Sequence, residues 1–113
     1  MALAKDLSVS VLLDFYGELL TPKQAEALDL YYNQDLSLAE IAEDTGVSRQ
    51  GVRAFIKQGE AHLINFEEKL GMAKKFRSLC ECADRAEAII KSRSDADTSL
   101  LNILAEIRSI IEN

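Results

Sequence analysis

The stretch Leu38–Lys57 reads LAEIAEDTGVSRQGVRAFIK, and its order of capping, apolar and small residues decides the fold. Ser37 precedes it and Glu40 follows three residues later, which is the spacing of a capping box at the start of a short helix. Gly46 can take the left-handed conformation that ends such a helix, and Ser48 can cap the next one. The stretch therefore predicts two helices joined by a tight glycine turn.

Two such helices form a helix-turn-helix when four requirements are met at fixed offsets. The first helix needs an apolar anchor and a small residue where the helices cross. The turn needs a flexible residue, and the second helix needs apolar anchors. The residues that meet these requirements are Ile41, Ala42, Gly46, Val47, Val52 and Ile56, with Phe55 beside the last. The alternative is an ordinary pair of packed helices, and the residues after the turn favour the helix-turn-helix.

The start of the second helix carries groups that can contact DNA. Arg49, Arg53 and Lys57 recur at four-residue steps and so lie along one face, opposite the apolar seam of the same helix. Arginine can pair with guanine, Gln50 can pair with adenine, and Ser48 can donate to a phosphate at the helix N-terminus. These five residues are the predicted DNA-binding face. The alternative is that the row of charge only keeps a helix face hydrated.

The net charge of the chain, −6, at first opposes this prediction, because a general binder of polyanions is normally basic. The charge is uneven, however: residues 1–44 hold two bases and nine acids, whereas residues 45–58 hold three bases and no acid. Three phosphate contacts would give a salt slope of about −2.7, so one copy would bind DNA weakly. Two copies that present two such helices would compensate.

The rest of the chain also has helical periodicity, which predicts an all-α fold of six helices. The helix capped by Ser48 is long and ends at Gly71. The other predicted helices run over about Lys5–Leu19, Pro22–Asn33, Ala73–Lys91 and Thr98–Glu112. We expect a helix-turn-helix domain over residues 1–71 and a C-terminal helical hairpin over residues 72–113. The hairpin is expected to pack on the first domain and to take part in dimerisation.

The apolar positions of these helices form the predicted core. Their inward residues are expected to include Val11, Phe15, Tyr16, Leu19, Tyr31, Tyr32, Leu70, Leu79 and Ile107. The four aromatic residues in this set could alternatively form a stacking platform for single-stranded nucleic acid, but their helical spacing favours core packing. Apolar seams on three helices exceed what one small chain covers easily, so the sequence predicts a homodimer.

The sequence gives no support for catalysis. His62 is the only histidine, so neither a Ser-His-Asp triad nor a multi-histidine metal site can form within one chain. Cys80 and Cys82 are too few for a disulfide framework, and we expect reduced thiols in a cytoplasmic protein. No apolar run approaches the roughly 18 residues of a membrane span. We expect no catalytic residue, no metal, no cofactor and no membrane insertion.

The segment Leu20–Leu63 (LTPKQAEALDLYYNQDLSLAEIAEDTGVSRQGVRAFIKQGEAHL) resembles region 4 of bacterial sigma factors and related response-regulator output domains. Its LTP opening, SLAEIAE helix and GVSRQGVR turn carry the resemblance. From about Leu12 to Leu70 the chain is more similar still to the YlxM-like family of small helix-turn-helix proteins, whose genes lie beside those of the bacterial signal recognition particle. This resemblance implies a sigma region 4-like fold and double-stranded DNA binding. It also implies a regulatory part in the signal recognition particle pathway.

Two questions stay open at this point. Gly51, in the first turn of the second helix, lowers helix propensity by about 1 kcal/mol relative to alanine. It could serve a close approach to a phosphate or to a packed neighbour. The strongly acidic residues 1–44 also leave open a second function, a protein- or RNA-interaction module that contacts a basic partner such as a signal recognition particle component.

Overall fold

The computed structural model describes residues 7–93 and 98–112, in which all regular secondary structure is helical and there is no β-strand. The six helices are α1 (Leu7–Tyr16), α2 (Pro22–Leu28), α3 (Leu38–Thr45), α4 (Arg49–Leu70), α5 (Met72–Lys91) and α6 (Thr98–Glu112). A 3₁₀ turn, Gly17–Leu19, extends α1, and a π-helical turn, Asp29–Asn33, extends α2. The predicted all-α fold is confirmed. The predicted start of the first helix at Lys5 lies outside the described residues.

The helix boundaries follow the capping residues. Thr21 with Gln24 and Ser37 with Glu40 both form complete capping boxes. The Ser48 hydroxyl oxygen accepts a hydrogen bond from the backbone N–H of Gly51 at 3.1 Å and so caps α4. Short polar side chains satisfy the amides that a helix leaves unpaired at its N-terminus, which is why these boundaries could be predicted.

The chain divides into two compact units, Met1–Ala73 and Lys74–Asn113. The division follows Ala73 rather than the predicted Gly71. Hydrogen bonds explain the difference, because the backbone N–H groups of Met72 and Ala73 donate to side chains of the first unit, Tyr16 and Glu67. The first two residues of α5 therefore belong to the first unit.

The core of the first unit lies where α2, α3 and α4 meet. Its fully buried large side chains are Leu28, Ile41, Val52, Ile56 and Leu63. Burial of such a side chain contributes about 1.5–3 kcal/mol relative to exposure. Gly59 lets α2 and α4 approach closely, since a Cβ atom there would lie 2.6 Å from Cδ1 of Leu28. The predicted apolar seam of α4 is therefore buried from Val52 to Leu63.

Some residues predicted to face inward are exposed. Val11 is exposed because the inward stripe of α1 follows Val9 and Tyr16, and Val11 lies about 200° further round the helix from Val9. Leu19 belongs to the 3₁₀ turn, whose tighter winding carries it off that stripe. Leu70 is exposed at the last residue of α4. Amphipathic spacing therefore predicted where the helices lie better than which side chains of each helix face the core.

The second unit contains α6 and most of α5, and ion pairs connect the two helices. The Arg108 guanidinium Nη2 donates to Asp84 Oδ1 at 2.6 Å and to Glu87 Oε2 at 3.0 Å. Lys91 Nζ pairs with Glu87 Oε1 at 2.6 Å, and this hydrogen bond, with a smaller contribution from Arg108, lowers the pKa of Glu87. These contacts join the predicted C-terminal helical hairpin. No helix in the described ranges is long and apolar enough to span a membrane.

Candidate nucleic-acid interface

The turn between α3 and α4 is closed by hydrogen bonds from its own residues. The Thr45 hydroxyl donates to the Ile41 carbonyl at 2.7 Å and accepts from the Val47 N–H at 3.4 Å. The Gly46 N–H donates to the Ala42 carbonyl at 3.0 Å. Gly46 has φ +74°, a left-handed conformation that glycine adopts without steric penalty. These hydrogen bonds and the left-handed Gly46 fix the backbone of the turn, and so set the direction in which α4 leaves it.

The predicted scaffold residues surround this turn. Ile41 on α3 and Val52 and Ile56 on α4 are fully buried. Ala42 and Val47 are half-buried against the same core. Together these side chains hold the first two turns of α4 against α3, and they leave the opposite face of α4 in solvent.

Gly51 is packed against the turn. A Cβ atom at this position would lie 2.8 Å from Cγ1 of Val47 and 3.2 Å from the Ser48 hydroxyl oxygen. Of the two alternatives left by the sequence, close approach to a packed neighbour is therefore present. The propensity lost at Gly51 is offset by room for the Ser48 cap and the Val47 anchor.

The five predicted DNA-contacting residues lie together on the exposed side of α4. Ser48, Arg49, Gln50, Arg53 and Lys57 are all exposed. Within residues 7–93 and 98–112, none of the three cations forms an ion pair with a carboxylate. We call these five residues the basic face. Its positive charge is available to a ligand.

The N-terminus of α4 adds hydrogen-bond donors to the basic face. Ser48 caps only the N–H of Gly51, so the backbone N–H groups of Arg49 and Gln50 precede the first intrahelical bonds. The Ser48 hydroxyl accepts in this cap and keeps its own proton to donate. Helix N-termini attract anions through such donors and through the helix dipole. The start of the basic face is thus suited to a phosphate.

The first acid that follows the basic face along α4 is already engaged. The carboxylate of Glu60 accepts a short hydrogen bond from the Tyr32 hydroxyl. Two residues earlier on α4, Gln58 Oε1 accepts a hydrogen bond at 3.5 Å from Nε2 of Gln24 on α2. These contacts fasten the middle of α4 to α2 and its π-helical extension. No sequence pattern indicates these contacts, because the partners are 28 and 34 residues apart.

A second buried contact fixes the far end of α4. The Tyr16 hydroxyl donates to Glu67 Oε1 at 2.6 Å and accepts from the Met72 N–H at 3.0 Å. Glu67 Oε1 also accepts from the Ala73 N–H at 3.0 Å. Burial, and then the bond to Glu67, raise the pKa of Tyr16. We call Tyr16, Glu67 and these two amides the junction cluster.

The aromatic residues of the first unit pack internally. Tyr16 and Tyr31 are buried, and the Tyr16 ring lies 5.9 Å from the Phe66 ring. Tyr31 and Tyr32 pack edge to face with ring centres 5.1 Å apart. Phe15 and Tyr32 are partly buried against the same core, and such aromatic pairs stabilise it. The core-packing interpretation is confirmed over a stacking platform.

Acidic side chains of the first unit line two open grooves. Glu40, Glu43 and Asp44 line an open groove of about 470 Å³ beside Leu36 on the α3 side. A second open groove, of about 580 Å³, lies between α1 and α2, and its charged lining residues are Asp14, Glu18 and Asp29. The first unit therefore has one basic face and acidic grooves formed by other helices.

Other chemistry has little support in the described part of the chain. It contains no group of three or more histidine, cysteine or acidic residues that could hold a metal. Cys80 and Cys82 are not joined in a disulfide, and Cys82 Sγ accepts from the Arg85 guanidinium at 3.3 Å. His62 is exposed, and its ring stacks near Phe66.

Comparison with known proteins gives a consistent result. The family described as "Putative helix-turn-helix protein, YlxM / p13 like", UPF0122, matches residues 3–104. A UPF0122 protein of Acetivibrio thermocellus is 48% identical over 99 residues, covering 88% of this chain and 82% of that protein. A UPF0122 protein of Thermoanaerobacter sp. (strain X514) is 42% identical over 109 residues, covering 94% of this chain and 92% of the relative. One from Geobacillus kaustophilus is 42% identical over 105 residues, covering 93% and 96%.

These matches extend over both compact units and confirm the family that the sequence motifs suggested. The turn geometry at Gly46, the buried anchors and the capped α4 explain how this chain forms the motif in the family's description. The chain belongs to the UPF0122 family of YlxM / p13-like helix-turn-helix proteins.

Proposed function

We propose that this protein is a cytoplasmic DNA-binding regulator that inserts the N-terminal half of α4 into the major groove. The observation that carries the proposal is the basic face. Three exposed cations with no ion pair among the described residues lie on one side of a helix that a helix-turn-helix holds outward. A site for a small anion would not need cations over more than two turns of helix.

Each residue of the basic face has a role that follows from its position. Arg49 and Gln50 start α4, the part of a recognition helix that reaches base edges, where arginine pairs with guanine and glutamine with adenine. Arg53 and Lys57 lie one and two turns further along and neutralise backbone phosphates. Ser48 donates to a phosphate at the helix N-terminus. Specificity therefore resides in the first turn, and most of the salt dependence in the next two.

Two copies are needed for useful affinity. The unit that carries the basic face also carries the acids of residues 1–44, which repel DNA wherever they come near it. Even if all three cations neutralised phosphates, one copy would have a salt slope of only about −2.7. A two-fold dimer doubles the contacts and reads two half-sites about 34 Å apart. We therefore include homodimer binding in the proposal.

The pathway is a separate part of the proposal. The resemblance to the YlxM-like family, whose genes lie beside those of the signal recognition particle, supports a regulatory role in that pathway. Binding to a genomic fragment from the signal recognition particle genes, selected from total DNA, would support this part. Selection of unrelated fragments only would contradict it and leave DNA binding itself intact.

The test of DNA binding compares two double variants that remove equal charge. Arg49→Ala/Arg53→Ala changes the basic face, whereas Lys69→Ala/Arg93→Ala removes two exposed cations elsewhere. Duplex DNA binding is measured over a range of salt concentrations. We expect the first variant to lose at least about tenfold in affinity and its salt slope to become shallower by about 0.9 per copy, because Arg53 contacts a phosphate and Arg49 a base, with the control close to wild type. Equal losses in both variants would contradict the proposal.

A second candidate function is supported by the acidic grooves. A partner with a basic surface, such as a signal recognition particle component, would bind in these grooves. The variant for this test combines Asp29→Asn, Asp35→Asn, Glu40→Gln and Glu43→Gln. Glutamine at position 40 keeps the capping box, and asparagine tolerates the positive φ of Asp35. A partner lost by this variant but retained by Arg49→Ala would favour the second function.

A further inference from the structure

The line of cations on the basic face leads into an acidic residue. Three residues after Lys57 comes Glu60, the first acid on α4. Glu60 follows Arg53 by seven residues, so its Cα–Cβ bond leaves the helix within about 20° of the direction at Arg53 and about 10 Å further along the axis. Side chains three residues apart, as Lys57 and Glu60 are, are neighbours on a helix surface. The spacing therefore places a carboxylate at the end of the basic face.

A carboxylate in this position opposes DNA binding in two ways. It repels the phosphates that Arg53 and Lys57 are proposed to contact, and it competes with a phosphate for the ammonium group of Lys57. The structure describes both Lys57 and Glu60 and has no ion pair between them. Another group must therefore hold the carboxylate of Glu60.

That group is the hydroxyl of Tyr32, on the π-helical turn that extends α2. It donates to Glu60 Oε1 at 2.5 Å, and both side chains are half-buried. A hydrogen bond to an ionised acceptor is about twice as strong as one between neutral groups, whereas an exposed ion pair contributes little. The carboxylate of Glu60 therefore stays with Tyr32 rather than with Lys57.

The ring that carries this hydroxyl is itself fixed by packing. Tyr32 is partly buried against the core of the first unit, and its ring lies edge to face with that of Tyr31, which is buried. The hydroxyl is thus a donor in a set position beside α4. A phenylalanine at position 32 would keep the ring contacts and lose only this donor.

We propose that Tyr32 is a positioning residue for DNA binding: its hydroxyl holds the carboxylate of Glu60 away from Lys57 and so keeps Lys57 available to a phosphate. This inference rests on the proposed function, because it concerns how the basic face contacts DNA. Tyr32 acts through Glu60 and needs no contact with DNA itself.

The first experiment locates the Glu60 side chain in the free protein by NMR spectroscopy. In wild type, we expect nuclear Overhauser contacts between the methylene protons of Glu60 and the ring of Tyr32. In Tyr32→Phe, we expect these contacts to weaken and contacts from Glu60 to the side chain of Lys57 to appear, while circular dichroism shows the helical content of wild type. Glu60 contacts that do not change in this variant would overturn the proposal, because the hydroxyl would then not be what holds the carboxylate.

The second experiment measures the affinity for duplex DNA and its salt dependence. It compares Tyr32→Phe with Tyr32→Phe/Glu60→Gln and with Tyr32→Phe/Glu68→Gln. Both double variants remove one negative charge from α4, the first at the end of the basic face and the second at an exposed acid about two turns further along. We expect Tyr32→Phe to lose about two- to fivefold in affinity per copy. Its salt slope should become shallower by up to about 0.9 per copy, because Glu60 then takes the place of one phosphate at Lys57.

The two double variants separate an electrostatic role of Tyr32 from a purely structural one. Tyr32→Phe/Glu60→Gln should regain the affinity and salt slope of wild type, whereas Tyr32→Phe/Glu68→Gln should bind as weakly as Tyr32→Phe. Equally weak binding by both double variants would show that Tyr32 only supports the fold, and it would overturn the proposal. Equal recovery in both would also overturn it, since any lost negative charge would then suffice.

The wild-type measurement separates this inference from the proposed function. If wild type binds duplex DNA through the basic face and Tyr32→Phe binds equally well, only the role of Tyr32 is contradicted. If wild type does not bind duplex DNA, the proposed function is contradicted and the role of Tyr32 with it.

Discussion

The two compact units are both built from amphipathic helices, but they differ in how completely they bury their apolar residues. In the first unit, five large side chains are fully buried, and partly buried polar contacts hold the middle and the C-terminal end of α4. In the second unit, Ala83 is the only apolar side chain that the structure describes as buried. Helical periodicity alone therefore does not form a core. Much of the apolar surface of the second unit is exposed.

The largest expected difference is between the losses of stability caused by truncating one leucine in each unit. Leu63→Ala removes a fully buried side chain and should lower the free energy of unfolding by about 2–5 kcal/mol. Leu79→Ala changes a half-exposed side chain of α5 and should change it by no more than about 0.5 kcal/mol. Urea unfolding is followed by circular dichroism, which reports on the helices of both units, and by tyrosine fluorescence, which reports on the first unit because all three tyrosines lie there. Similar losses for both variants would remove the contrast between the units.

The next effect concerns the closest contact in the first unit. Gly59→Ala places a methyl group 2.6 Å from Cδ1 of Leu28, so α2 and α4 must separate or Leu28 must change rotamer. We expect a loss of about 1–3 kcal/mol in the free energy of unfolding. Ala61→Gly serves as a reference for helix propensity on the same helix, because Ala61 is exposed. A stability gain in Gly59→Ala would show that α2 and α4 are not closely packed.

The junction cluster should give a smaller effect that depends on pH. Tyr16→Phe leaves the Met72 N–H and one oxygen of Glu67 without the hydroxyl, and should lower the free energy of unfolding by about 1–3 kcal/mol at neutral pH. The pKa of Tyr16 is raised in the folded state from 10.0, so its contribution is complete below pH 10 and is lost as pH rises through the folded-state pKa. Wild type should therefore lose more stability above pH 10 than Tyr16→Phe does. Parallel alkaline profiles for the two proteins would contradict this assignment.

The smallest effect is expected in the second unit. The pKa of Glu87 is lowered from 4.5, chiefly by the hydrogen bond from Lys91, so its contribution is present above pH 4.5 and is lost as pH falls through the folded-state pKa. Glu87→Gln should slightly reduce the acid sensitivity of helical content, because solvent-exposed ion pairs contribute little. Circular dichroism between pH 2 and pH 7 measures the difference, and Glu81→Gln, an exposed acid on the same helix, is the matched control. If wild type shows a large loss of helical content in acid and Glu87→Gln does not, the ion pair contributes more to the hairpin than expected.

Much of the fold could be predicted because its signals are local. The capping boxes at Thr21 and Ser37 and the turn at Gly46 depend on side chains within three or four residues, and the structure has all of them. The burial of Ile41, Val52 and Ile56 follows from the same local register. Because Val52 and Ile56 face the core, the opposite side of α4, which carries the basic face, is exposed. DNA binding by that face stays a prediction.

The missed features depend on contacts between distant residues or on small changes of helix winding. The hydrogen bond from Tyr16 to Glu67 joins residues 51 positions apart, and no periodicity records it. The 3₁₀ turn at Gly17 and the π-helical turn at Asp29 shift the register that a uniform α-helix would have, which is why Leu19 was assigned to the wrong side. The lack of space for a Cβ atom at position 51 depends on how the turn places Val47, so the sequence alone does not show it.

One consequence of the continuous helix α4 concerns where altered DNA preference could arise. The junction cluster grips the last turns of α4 at Glu67, and Arg49 lies about 27 Å away along the same rigid rod at about 1.5 Å per residue. A small change in the angle of α4 at Glu67 would therefore displace Arg49 and Arg53 by more than it displaces Glu67 itself. A genetic selection for new target sequences should therefore recover changes at Tyr16 and Glu67, neither of which reaches a base.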